Sequence, residues 1–244
     1  MTLSLLAEAI QRCDPVLLST DLFDTVLLRD HTIESVRLQS ASRLAATRLG
    51  VDPAVLTRLR WTAHDNAYRA VAIEGPEGDA ALSCICETIS TALGLGPDAA
   101  RIMHDVEVDV DIQHLRPNRP LLELLDRESR RGTRVIAVSD TYYSEADLRR
   151  ILGAVVGSHP LKTIYSSADL GLTKHAGSIF EEVSRREGVS PTQILHLGDS
   201  VGADVRRAQE ASWTGVHLPR SKRYRQSKRA AQVFGLPTKI RRAR

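Results

Sequence analysis

A chain of 244 residues with 42% hydrophobic residues, 4% aromatics and a formal net charge of +3 is long enough to bury a core. It fits one large domain, or a core domain with a substantial insert, and excludes disordered, fibrous and disulfide-framework classes. The charge is unevenly placed: Arg220 to Arg244 holds ten basic residues and no acidic one, against 23 basic and 30 acidic before it, so a body near −7 carries a tail near +10. Any affinity for nucleic acid or another polyanion is therefore expected of the tail alone.

The first residues carry no cationic leader and reach Glu8 quickly, and no apolar run approaches membrane-spanning length. Cys13, Cys84 and Cys86 are too few and too odd in number for a disulfide framework. A cytoplasmic protein with reduced thiols and no membrane span is expected.

At 16–20 an apolar, partly β-branched run ends in Asp21, which predicts a buried strand delivering an acid at its C-terminal end. Helical spacing follows at 34–49 and 53–73, Gly75-Pro76-Glu77-Gly78 breaks it, and 80–93 resumes as a helix closed by Gly94 to Pro97. Along the first of these helices Arg37, Arg43 and Arg48 step round the axis, which predicts solvated positions. Cys84 and Cys86 would diverge by about 200° on a helix, so they read as small packing residues and not as a metal pair. Asp105, Glu107, Asp109 and Asp111 alternate with valines, and we read this segment as a further helix returning to the core. A structureless connection of such length is improbable inside a compact domain, so residues 31–115 are expected to form a helical insert. Pro117 and Asn118-Arg119-Pro120 punctuate the return, with Asn118 predicted to cap a helix over 121–130. Strands are predicted at 134–138, 161–165, 193–197 and 215–218, with helices over 143–152 and 175–187 between them. Such alternation implies right-handed crossovers and a parallel sheet covered on both faces. The ligand crevice then lies at the C-terminal strand ends, where Asp21, Ser139 and Asp199 fall.

These residues suit one chemistry. A carboxylate at a strand end, flanked by backbone N–H groups, can attack an electrophile and form a covalent aspartyl intermediate, which assigns Asp21 as nucleophile. Thr25 and Ser139 offer hydroxyls to phosphoryl oxygens, and Lys174 supplies a fixed positive charge beside an anionic substrate. Asp199 and Asp204, with Asp21, are hard oxygen ligands suited to Mg²⁺. His175 and His196 read as a helix-start residue and a core residue.

The order Asp21-Leu22-Phe23-Asp24-Thr25, Ser139, Lys174, then Gly198-Asp199 with Asp204, resembles the haloacid dehalogenase superfamily over about residues 16–218. It is most similar to a group of predicted hydrolases with a Phe-Asp-Thr first motif, whose second motif reads as Ser139-Asp140-Thr141-Tyr142 does here. The resemblance implies an α/β, Rossmann-like core (1–30 and 116–219) with a parallel sheet flanked by helices, an inserted helical cap (31–115), and a basic tail (220–244) outside both. It implies a Mg²⁺-dependent hydrolase, a phosphatase acting on a small phosphorylated metabolite through an aspartyl-phosphate. It further implies that the backbone carbonyl of Phe23 joins Asp21, Asp199 and Asp204 as a metal ligand. Phe23, Ser139, Asp140, Tyr142, Lys174 and Arg29 are expected to contact substrate, and Tyr143 to share the pocket wall with Tyr142 or to pack in the core.

One position departs from the pattern. Phosphatases of this superfamily place a second Asp, the general acid, where Phe23 stands, and losing such a group forfeits about 10² to 10⁴ in rate. Asp24 either takes that role or is a turn residue. Phe23 also suits a dehalogenase-like hydrolase that forms an aspartyl ester, because halide departs without a proton. A third alternative is a weakly active member that binds a phosphorylated ligand or a partner protein. For the tail the readings are a helix docked on the acidic body, a disordered end, or a polyanion patch.

Overall fold

The computed structural model describes residues 3–74 and 77–234. Gly75 and Pro76 of the predicted breaker, and the last ten residues of the basic tail, lie outside them. The order of elements is α1 (Leu3–Cys13), β1 (Leu17–Thr20), β2 (Leu27–Arg29), α2 (Glu34–Leu49), α3 (Pro53–Glu74), α4 (Leu82–Ala92), α5 (Pro97–Gln113), β3 (Leu115–Pro117) and α6 (Arg119–Arg130). It continues with β4 (Arg134–Ser139), α7 (Glu145–Val155), β5 (Thr163–Ser166), α8 (Ser167–Leu170), α9 (Ser178–Glu187), β6 (Ile194–Gly198), α10 (Arg207–Glu210), β7 (Thr214–His217) and α11 (Lys222–Phe234). A π-helical turn, Val201–Arg206, precedes α10. Among the described residues the chain forms two units, one within Met1–Leu28, Ala67–Leu82 and Arg116–Pro219, the other within Arg29–Asn66, Ser83–Leu115 and Arg220–Arg244.

In the first unit β1 (Leu-Leu-Ser-Thr) is buried along its whole length, as a parallel strand covered on both faces is. It pairs in parallel with β4 on one side (Leu17 beside Arg134) and β6 on the other (Leu17 beside Ile194). The five-stranded order β5-β4-β1-β6-β7 puts β1 at the point where the strand order reverses, so the ends of β1, β4 and β6 share one crevice. One face of the sheet packs Leu17, Ile136 and Val138 against Ile179, Phe180, Val183 and Trp213. Phe180 and Trp213 meet edge to face with ring centroids 4.9 Å apart, worth about 0.5–1.5 kcal/mol beyond burial alone. The Trp213 indole N–H donates to Ser184 Oγ (2.8 Å).

Element boundaries shift where side chains are drawn into other bonds. Asn118 stands at the N-cap of α6 but makes no capping bond; its Nδ2 donates instead to the Thr25 carbonyl (2.8 Å). Helix α7 starts two residues later than its apolar spacing suggests, because Ser144 and Asp147 form a capping box. The helix predicted from 175 begins at Ser178, after a turn closed by the Gly177 N–H to the Thr173 carbonyl (3.0 Å).

In the second unit α2 packs on α5, and the acids that alternated with valines are divided by helical geometry. Glu107 and Asp111 are buried while Asp105 and Asp109 remain more open. Arg60 donates through Nε and Nη2 to Glu107 (2.7 and 2.6 Å) in a buried bidentate pair. Asp111 takes Arg29 (3.0 Å) and Arg37 (2.8 Å). The expectation of a solvated Arg37 is therefore corrected: the side chain is buried, and Asp111 supplies the countercharge that permits it. Cys86 is buried and Cys84 exposed. The described part of the basic tail is α11 with its lead-in, where Arg220 lies 3.4 Å over the Tyr224 ring and donates to the Arg29 carbonyl (2.9 Å).

Candidate active site

Asp21 follows β1 directly, and its N–H extends the ladder to the Leu197 carbonyl of β6 (2.7 Å). The chain then turns sharply: Val26 and Leu27 N–H both donate to the Leu22 carbonyl (2.9 and 2.8 Å). Asp24 adopts a left-handed φ of 63° in this turn, a conformation Asp tolerates better than most residues. Thr25 is buried in the same turn.

Ser139 ends β4, and Asp140 reaches across to the loop after α8. Its two carboxylate oxygens accept the backbone N–H groups of Lys174 (2.7 Å) and His175 (3.1 Å). Burial pushes the Asp140 carboxyl above its usual range, against the pull of Lys174. Thus Asp140, expected to contact substrate, fixes the main chain that presents Lys174.

Lys174 Nζ donates to Asp21 Oδ1 and to Asp204 Oδ1, each at 2.6 Å. Burial works against its charge, but the two carboxylates hold it well above the usual lysine range. They compete for one ammonium unequally. Asp204 also accepts from His196 Nε2 (3.2 Å) and Ser200 N–H (2.9 Å). Burial raises the Asp204 carboxyl, yet Lys174 and His196 outweigh it and hold the group well below the carboxylate range. Asp21 has fewer donors. Burial pushes it up to about 6 in spite of Lys174, and the charges of Asp204 and Asp199 add to the rise.

Asp204 sits on the π-helical turn, a local irregularity common at functional sites. Its carboxyl occupies the space of the missing Gly198 side chain, since a Cβ there would lie 2.1 Å from Asp204 Cγ. Asp21, Asp199 and Asp204 each offer an oxygen within 4.8 Å of the others. An all-carboxylate donor set with this spacing fits a hard divalent cation such as Mg²⁺.

Two hydroxyls on these loops, Thr25 Oγ1 and Ser139 Oγ, are buried with no hydrogen-bond partner. A buried hydroxyl left so costs about 1–3 kcal/mol. Aromatic rings gather on the same two loops. Phe23 lies 6.0 Å from Tyr143, and Tyr143 4.6 Å from Tyr142, between ring centroids. Tyr143 is buried, and Phe23 and Tyr142 are half-buried. Arg29, the other expected substrate contact, belongs to the helical unit, where it pairs with Asp111.

Three neighbours were not predicted as parts of the site. His196 is fully buried in β6, and its Nδ1 meets Ser19 Oγ at 2.8 Å while Nε2 meets Asp204. It is a core residue, as its place in a strand suggests, but one that orients a candidate ligand. Asp79 accepts from Tyr68 OH (3.0 Å) and from Ser167 Oγ. Ser167 Oγ in turn accepts the Thr141 N–H (2.8 Å), so Asp79 steadies the loop that follows Ser139. Residues 67–82 thus belong with the sheet although they lie within the predicted insert.

No family model matches the chain. A stretch of 64 residues, 26% of the chain, is 33% identical to a glyceraldehyde 3-phosphate phosphatase of Methanopyrus kandleri, of whose length it spans 28%. The L-2-haloacid dehalogenase of Xanthobacter autotrophicus, solved with chloropropionic acid covalently bound, superposes with a TM-score of 0.53 at 15% identity, over 91% of this chain and 83% of that one. A HAD family enzyme of Bacteroides thetaiotaomicron, solved with magnesium and inorganic phosphate, superposes with a TM-score of 0.51 at 14% identity, over 82% and 92%.

Proposed function

Taking as premise that the chain has the haloacid dehalogenase fold, we propose that it is a Mg²⁺-dependent hydrolase, a phosphatase acting on a small phosphorylated metabolite through an aspartyl-phosphate at Asp21. Charge is the observation that carries this reading. Three carboxylates lie within 4.8 Å of one another, and Lys174 donates to two of them, Asp21 and Asp204. Carboxylates crowded together in a largely buried crevice repel one another, and a divalent cation removes that cost. Asp21, Asp199, Asp204 and the Phe23 carbonyl would hold Mg²⁺, which when bound offsets the charge of an anionic substrate and polarises its phosphoryl group.

In this reading an Asp21 oxygen attacks phosphorus, and Lys174 offsets the charge that gathers there. Thr25 and Ser139 donate to phosphoryl oxygens, which gives both buried hydroxyls the acceptor they lack. Asp140 keeps Lys174 in place through its main chain. The helical unit within the insert, residues 31–66 and 83–115, serves as the cap. The cysteines, which form no disulfide among the described residues, fit the cytoplasm.

Phe23 favours a second reading, attack of Asp21 on carbon with loss of halide. Phosphate release from sugar, polyol, nucleotide and acyl phosphates, with and without Mg²⁺, separates the two. Mg²⁺-dependent phosphate release is expected; halide release from 2-haloacids with none of phosphate refutes the first reading.

A further inference from the structure

The chemistry at Asp21 makes no use of the basic tail, whose first turn is anchored on the helical unit. Arg220 is buried, donates to the Arg29 carbonyl (2.9 Å) and lies 3.4 Å over the Tyr224 ring, so a carbonyl dipole and an aromatic face meet its charge. Tyr224 is buried in turn, its ring centroid 5.5 Å from that of His31. These contacts decide which side of α11 faces inward. On a helix of 3.6 residues per turn, Lys222, Arg225 and Arg229 fall within about 60° of one another and span about 10 Å, while Tyr224 lies at least about 100° from each. All three are exposed, and among the described residues none of them enters an ion pair. No acidic residue occurs between Arg220 and Arg244, so no carboxylate of the tail neutralises the stripe.

We propose that this stripe, Lys222, Arg225 and Arg229, is a docking surface for the sugar–phosphate backbone of a nucleic acid. It is separate from the crevice at Asp21 and from the reaction carried out there. A helix that lies in a membrane interface presents an apolar face to the lipid. Here the aromatic residue is turned in, and the described exposed positions of α11, Lys222, Arg225, Gln226, Arg229 and Ala230, offer charge, an amide and a methyl group. A phosphodiester chain repeats one negative charge per nucleotide, so a row of cations on one rigid face meets successive phosphates and releases the counterions condensed on them. Six of the nine basic residues after Arg220 are Arg, whose guanidinium forks to phosphate oxygens and stacks on bases as an ammonium does not. Backbone contacts of this kind carry no base sequence, so binding is expected to be indifferent to it.

The test is fluorescence anisotropy of labelled single strands of about 20 nucleotides, RNA and DNA of one sequence, titrated with the full-length protein at about 50 and about 200 mM salt. Binding is expected to one strand or both, and three phosphate contacts at a slope of about −0.7 each should weaken it about 20-fold across that range. The strand bound more tightly identifies which nucleic acid the surface takes. The triple variant Lys222→Gln, Arg225→Gln, Arg229→Gln is expected to weaken binding at the lower salt at least about tenfold and to reduce the slope by about 2, with thermal unfolding unchanged. A second triple variant, Arg43→Gln, Arg48→Gln, Arg58→Gln, removes the same charge from exposed positions elsewhere on the helical unit; it is expected to leave binding within about threefold of the wild type. Equal weakening in the two variants, which would make the effect one of net charge, overturns the proposal. So does binding unaltered by the first variant, no binding to either strand at the lower salt, or tighter binding to vesicles of phosphatidylserine and phosphatidylcholine than to both strands.

Discussion

Replacing Asp21 by Asn is expected to end turnover and, in metal-free buffer at neutral pH, to stabilise the protein. Burial, with Asp204 and Asp199 nearby, lifts the Asp21 carboxyl to about 6, so the folded state disfavours its charge by about 3 kcal/mol at pH 7.5 relative to the unfolded chain. Asn removes the charge, keeps the shape, and leaves Lys174 its 2.6 Å bond to Asp204. Part of the gain is offset by the weaker Lys174 contact, so the net is about 1–3 kcal/mol, several degrees in Tm for a chain of this size. The sign follows from proton binding: between the unfolded and folded pKa values the folded state holds more protons, so wild-type stability falls as pH rises through that window. The advantage of Asn should therefore halve near pH 5 and vanish below about pH 4. Mg²⁺ should reverse the order, raising the wild-type Tm and not that of the variant. The assay is thermal unfolding in chelator at pH 7.5 and pH 5, then in Mg²⁺. A lower Tm for Asp21→Asn at pH 7.5 in chelator, or a gain independent of pH, refutes the electrostatic account of the site.

Gly198→Ala forces a Cβ to within 2.1 Å of Asp204 Cγ; it should cost about 1–3 kcal/mol of stability and weaken Mg²⁺ binding at least tenfold by calorimetry. Asp79→Asn keeps the size of a side chain bonded to Ser167 and Tyr68 but loses its charge. It should lower kcat by about tenfold, within the range for a positioning contact, with Mg²⁺ affinity unchanged; unchanged kinetics would remove Asp79 from the site. Glu107→Gln breaks a buried bidentate pair with Arg60 and should destabilise the helical unit by about 3–5 kcal/mol, read by denaturant titration. Chelation of Mg²⁺ should stop phosphate release and its return restore it.

The sheet and its crevice were legible because buried parallel strands are rich in apolar residues, and those here lead at their C-terminal ends to polar residues: Asp21, Ser139 and Asp199. Lys174 was legible by its order between them, though the reason it stands there, Asp140 binding its main chain, was not. What stayed hidden depends on contacts distant in sequence. Nothing near Asp79 announces a partner at Ser167, 88 residues away, and nothing near Arg37 announces Asp111. Short-range rules failed in the same way: Asn118 has the residue type and place of a cap, but the turn after Asp21 takes its side chain. Helix α1, whose apolar face packs Leu6 and Ile10, was not predicted.

The placing of β1 at the centre of the sheet has a consequence for synthesis. Its partner β4 comes only after the helical insert, and Ser19 and His196, which meet across the β1–β6 pair, are 177 residues apart. At about 5–20 residues per second, roughly 9–35 seconds separate the emergence of Leu17 from that of Ile194. During that interval the central strand of the sheet has no sheet neighbour on one side, and for much of it none on either. Long-range pairing of this kind slows folding and leaves strand edges open to other chains. The residues that bracket Asp21 are thus made long before they are sheltered, and the yield of folded protein should depend on how fast the ribosome reaches β6.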